Sequence, residues 1–205
     1  MLVQRGREAA PASGAAAVQC RLLAQGLWLK TERCGDSVRR SAQPWCPRPL
    51  AVWLLKRLVE QYERVASYLP APPLRLVLSG VEPHALQPYL EGATPLRRLS
   101  ALQLADPTTI RSLCRFWQSV RRGWRALGWL PDVGGRVYLP WELYRPMHTE
   151  NVVVAADGNC WLVDAAATAT FHSARSPLGR LHASLMLRSI ERCLIRLRCA
   201  SEPED

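Results

Sequence analysis

Apolar residues recur at positions 52, 55, 58, 59, 62, 65, 66 and 69. That spacing keeps one side of a 3.6-residue turn apolar and predicts a helix over AVWLLKRLVEQYERVASYL, residues 51–69. Pro49 stands ahead of it, and PAPP at 70–73 stops it. A second stripe, Ile110, Leu113, Cys114, Trp117, Val120, Trp124 and Leu127, predicts another helix. Asp106 is its N-cap, Pro107 its first residue, and Gly128 with Pro131 its stop. A third helix is predicted over roughly 177–197, opening at Pro177. Short apolar runs predict strands. Residues 18–23 and 27–31 flank Ala24-Gln25-Gly26 as strand, turn and strand. LRLVLSGV at 74–81 is strand-like, and HALQPYLEGATPL after it is short and extended with a Gly turn. Val152-Val153-Val154, then Ala155-Ala156-Asp157-Gly158, then Trp161-Leu162-Val163 predict a β-hairpin. Asn151 enters that hairpin and Asp164 leaves it. Residues 33–49 hold Gly, Ser and three prolines and are predicted to be an irregular connection; 131–146 are loop-rich.

At 205 residues and 48% hydrophobic, the chain suffices for one well-cored domain or one domain of two small lobes. Its net charge is +10, and Lys30 and Lys56 are the two lysines among 27 basic residues. An arginine-rich surface suits phosphates, acidic lipids or nucleic acid, although a GC-rich genome produces the same bias. No helix-turn-helix, RNA-recognition or zinc motif accompanies the charge, which argues against nucleic acid as a partner. Seven cysteines, an odd number without a C-x-x-C, indicate neither a disulfide framework nor a zinc site and point to a reducing cytoplasm. No run approaches the ~20 apolar residues that span a bilayer. Arg111, Arg115, Arg121, Arg122 and Arg125, beside three Trp, give the second helix a composition able to lie on an anionic membrane surface. The plainer reading of that helix is a buried apolar stripe with solvated arginines.

Two oxygen-bearing side chains at one end of a hairpin can hold a hard cation such as Mg²⁺. With the order hairpin, helix, strands, connector, helix, hairpin, helix, the chain resembles the protein-kinase-like fold. It is most similar to the compact bacterial branch containing lipopolysaccharide core kinases and aminoglycoside-phosphotransferase-like proteins. Four stretches carry the resemblance, which covers roughly residues 16–175. LWLK at 27–30 looks like the third-strand V-A-I-K, so Lys30 would contact nucleotide phosphates. Helix 51–69 would supply the Glu that orients this Lys, either Glu60 or Glu63. LQPYLEGATPL at 86–96 is similar to the hinge between lobes, where the Gln87 carbonyl and the Tyr89 N–H would read adenine. YRPMHTEN with the following hairpin resembles H-x-D-x-x-x-x-N and D-F-G: Asn151 and Asp164 would hold Mg²⁺, and His148 falls where phosphotransferase-like members place a second His.

The resemblance implies an α+β, two-lobed fold: a flexible segment 1–15, an N-lobe over about 16–86, a hinge at about 87–92 and a reduced helical C-lobe over about 93–205. It implies ATP and Mg²⁺ as cofactors. Its acceptor would be a lipopolysaccharide core sugar or similar hydroxyl, met in the cytoplasm or peripherally at the inner membrane. The chain departs from the pattern where the base belongs. Pro146 replaces the Asp and Tyr144 the first His, leaving Glu142 and Glu150 as nearby carboxylates. Asp164 is followed by Ala165-Ala166, and Gly14 is the one candidate for a phosphate-covering turn. The competing expectation is a pseudokinase scaffold that keeps the shape without catalysis.

Overall fold

A computed structural model describes residues 19–129, 133, 145–164 and 176–201. The architecture is α+β. Strands β1 (Cys20–Gln25), β2 (Leu29–Cys34) and β3 (Ser37–Ala42) run as an antiparallel meander. Helix α1 (Arg48–Ala66) follows, then β4 (Arg75–Val77) and β5 (His84–Pro88). These five strands form one antiparallel sheet in the order β1-β2-β3-β5-β4. Strand β6 (Thr94–Pro95), helix α2 (Ala101–Ala105) and helix α3 (Pro107–Leu127) lead to the hairpin β7 (Val152–Val154) and β8 (Cys160–Leu162). β6, β7 and β8 make a second, three-stranded sheet, and α4 (Pro177–Ser201) closes the order.

The helices form where their apolar spacing predicts. α1 buries Ala51, Leu55, Leu58, Val59, Tyr62 and Val65, one stripe of a helix whose other side is charged. α3 starts as its sequence dictates: Asp106 accepts the Thr109 N–H at 2.8 Å, and Pro107 costs no hydrogen bond at the first position. Gly128 ends it in the left-handed conformation at φ 67°, with its N–H on the Trp124 carbonyl. Leu113 and Phe116 are fully buried, each contributing about 2 kcal/mol of apolar transfer. Trp117 is 0% exposed and Trp124 packs on the same core, while Arg111, Arg115, Arg122 and Arg125 face solvent. The tryptophans of α3 are therefore occupied by the core. No helix among the described residues is long and apolar enough to cross a membrane.

Two expectations change. The stretch 33–49 is not all irregular: it contains β3, whose residues are all half-buried or buried, as fits a strand between two neighbours. Its Arg, Ser and Pro content hid this, because buried arginine does not register as apolar. The cysteines also do more than expected. Cys20 and Cys34 are register partners across β1 and β2, with Cα atoms 4.3 Å apart, and form a disulfide. The expectation of no disulfide rested on counting, and a single cross-strand pair leaves no motif in the sequence. The segment 1–15, Gly14, Glu142 and Tyr144 lie outside the described residues.

Candidate functional site

The hairpin β7–β8 forms where predicted, although its second strand, Cys160–Leu162, begins and ends one residue before the expected Trp161-Leu162-Val163. Gly158 turns it at φ 78°, and the Val163 N–H donates to the Asn151 carbonyl at 2.8 Å. That bond closes the strand pair one residue beyond the ladder and brings Asn151 and Asp164 to the same end. Side chains from β3 and α1 reach this end. Arg40, from the middle of β3, donates through Nη1 to Asp164 Oδ1 at 3.1 Å and through Nη2 to the Val163 carbonyl. The side chain of Arg40 is 7% exposed, against 40% for Asp164. From α1, the Tyr62 hydroxyl donates to the Leu162 carbonyl at 2.8 Å. The Leu162 N–H in turn donates to the Pro70 carbonyl at 2.8 Å. Strand, helix and hairpin thus meet on three consecutive residues, 162–164. Burial holds the Tyr62 hydroxyl well above the ordinary phenol range, with the Arg40 cation opposing and the Asp164 carboxylate adding to the shift.

Arg40, and not Lys30, is the cation that meets Asp164. The strand that runs into α1 is β3; Lys30 lies one strand earlier, on β2. Its register partner on β3 is Ser41, whereas Arg40 pairs with Thr31. Side chains alternate across a sheet, so Lys30 and Arg40 occupy opposite faces. Lys30 forms its ion pair with Glu32, two residues along the same strand, at 3.3 Å. Glu60 and Glu63 are both exposed on α1, and the residue between them that faces Arg40 and Asp164 is Tyr62. Residues 43–47 separate β3 from α1, so the strand that feeds the helix lies within the stretch 33–49.

The remaining predicted residues separate as well. The Tyr89 N–H donates to the Asp36 carbonyl at 2.8 Å, so its one proton is spent on the β3–β5 edge and not on an adenine edge. Gln87 pairs with Val38 in the β3–β5 ladder, and its side chain is buried, with no hydrogen-bond partner for Oε1 among the described residues. Val38, Arg40, Ala85 and Gln87 share one sheet face, by the same alternation that excludes Lys30. Pro146 is buried in a single 3-10 turn over Pro146–His148, and His148 is exposed at its end. Glu150 is bonded by Arg97, with Arg98 at 3.8 Å, which turns this carboxylate outward into a cationic pair. No group of three or more His, Cys, Asp or Glu among the described residues could hold a metal ion. For Asn151 and Asp164 as Mg²⁺ ligands, the neighbouring guanidinium is the difficulty: it already neutralises one Asp164 oxygen, and its charge repels a dication.

No family model matches the chain, and no curated protein matches it either.

Proposed function

We propose that the chain is a kinase-like domain used as a scaffold without phosphoryl transfer, a pseudokinase in which the metal end of the cleft has become a structural latch. The single observation that carries this reading is the buried Arg40 of β3 bonded to Asp164. In phosphoryl transfer the third-strand cation must be free for phosphates and the Asp for Mg²⁺. When each neutralises the other, the lobes, over about 16–86 and 93–205, gain a fixed contact and lose a phosphate cradle. Pro146, which has no proton-accepting side chain, supports the same conclusion.

A second reading keeps ATP and Mg²⁺. It is favoured by the sheet face that carries Val38, Arg40, Ala85 and Gln87, because the Gln87 Oε1 is buried and unpartnered among the described residues. In that reading Arg40 replaces the lysine on the phosphates, Asn151 and Asp164 take the metal, and a sugar or lipopolysaccharide hydroxyl is the acceptor. Thermal unfolding with millimolar Mg²⁺-ATP separates the two, since a ligand of the folded state raises the midpoint by mass action. The scaffold reading expects the same midpoint with and without nucleotide, and a lower midpoint in Asp164→Ala. A Mg²⁺-dependent rise that disappears in Arg40→Ala would overturn it in favour of the second reading.

A further inference from the structure

β1 is attached to the fold differently from the rest of the sheet. Among the described residues it is the edge strand, laddered to β2 alone, and all six of its residues are exposed. Leu22 and Leu23 are 52% and 47% exposed, so its apolar side chains add nothing to the core. The ladder is broken by a bulge between Leu22 and Ala24. Beyond these backbone bonds, the beginning of β1 is tied to the end of β2 by the Cys20–Cys34 disulfide, which joins residues 14 apart. Exposed ladders without packed side chains open at low free energy, and a covalent tie limits how far they open.

We propose that Cys20–Cys34 is a reducible clasp that makes the β1–β2 hairpin a redox-sensitive element: oxidised, β1 stays on the sheet; reduced, it detaches while the core stays folded. The co-reactant is a dithiol reductant. One of its thiolates attacks Sγ of one cysteine; the S–S bond breaks, and the other cysteine leaves as a thiolate that takes a proton from solvent. The second reductant thiol then attacks the mixed disulfide and releases the first cysteine. Two electrons pass to the protein, and the reductant ends as a cyclic disulfide. The event changes the outer end of the sheet face that carries Arg40. Arg21 of β1 is the register partner of Arg33 and lies on that same sheet face. Arg33 stacks its guanidinium 3.9 Å from the Tyr89 ring centroid and pairs with Glu91 at 3.7 Å. Detachment removes Arg21 from this pair of like charges and leaves Arg33 with its own partners. The inference is independent of the pseudokinase reading.

The test is hydrogen exchange of the full chain by mass spectrometry, with and without dithiothreitol, beside alkylation of its thiols. Two more thiols are expected to be alkylated after reduction than before. Protection across residues 20–34 is expected to fall at least about tenfold, with that of α1 and α3 unchanged. The Cys20→Ser/Cys34→Ser variant should exchange like the reduced protein and should not respond to dithiothreitol. No additional thiols, unchanged protection over 20–34, a loss spread equally over α1 and α3, or a response in the double variant would each overturn the proposal.

Discussion

The two hairpins of this protein are built on opposite principles. β1 and β2 have six residues each, yet β1 is exposed throughout, and a disulfide joins the two strands. β7 and β8 have three residues each, and Val152, Val153, Val154, Cys160 and Leu162 are all buried. The short hairpin is gripped from every side. Ser112 of α3 accepts the Cys160 N–H at 2.8 Å, Tyr62 of α1 bonds the Leu162 carbonyl, and Arg40 of β3 bonds Asp164. The lesson is that ladder length does not secure a hairpin in water; the surfaces packed on it do. Where packing is missing, a covalent bond substitutes for it.

Substitutions sharpen this contrast, beginning with the largest expected effect. Leu162→Ala leaves a cavity in a fully buried site and is expected to cost about 3 kcal/mol. Leu22→Ala in the longer hairpin should change stability by no more than about 0.5 kcal/mol. Equal losses in urea unfolding would break the comparison. Asp164→Ala strips Arg40 of its carboxylate but leaves the Val163 carbonyl, and Asp164 itself is partly exposed. The expected cost is about 2 kcal/mol. A double-mutant cycle with Arg40→Leu should recover at least about 1 kcal/mol of coupling; additive losses would reduce the bridge to coincidence. Tyr62→Phe keeps the ring and removes the donor from a buried carbonyl, at about 1.5 kcal/mol. Gly158→Ala tests the turn: at φ 78° an added Cβ would lie 3.1 Å from the Thr108 methyl carbon, so a loss of about 1 kcal/mol is expected.

The smallest effect is a pH dependence at the start of α3. The N–H of Thr109 is the main group holding the Asp106 carboxyl below its usual value of 3.8, with the Thr109 hydroxyl adding to the shift. A carboxyl depressed in the folded state stabilises above its unfolded value, and the contribution is lost as pH falls through the folded one. The loss therefore belongs below pH 3.8. Asp106→Asn should flatten the acid limb of the unfolding curve there and leave neutral stability nearly unchanged, because Asn also caps.

Much of the fold was legible. The helices at α1, α3 and α4 followed from apolar spacing, and the caps at Asp106 and Gly128 from residue type. The hairpin at 151–164 and its turn glycine were legible for the same local reasons. The site was not. Lysine chemistry drew attention to Lys30, but register placed Lys30 and Arg40 on opposite faces. Carboxylates drew attention to Glu60 and Glu63, but the stripe of α1 that packs inward carries Tyr62 between them. β3 was hidden because its buried residues include an arginine and a serine, on opposite faces, which no apolar alternation reveals.

The sequence by itself therefore determined what depends on neighbours along the chain: helix stripes, caps, turns and the place of a hairpin. These are set by interactions a few residues apart, within reach of any local pattern. Only the tertiary structure decided which cation meets Asp164, which helix residue faces it, and which cysteines pair. Arg40 and Asp164 are 124 residues apart, and Tyr62 reaches a carbonyl 100 residues away. Such partners are chosen by strand register, where a slip of one residue exchanges the two faces of a sheet, and by burial, which makes the chosen pair costly to leave unmade.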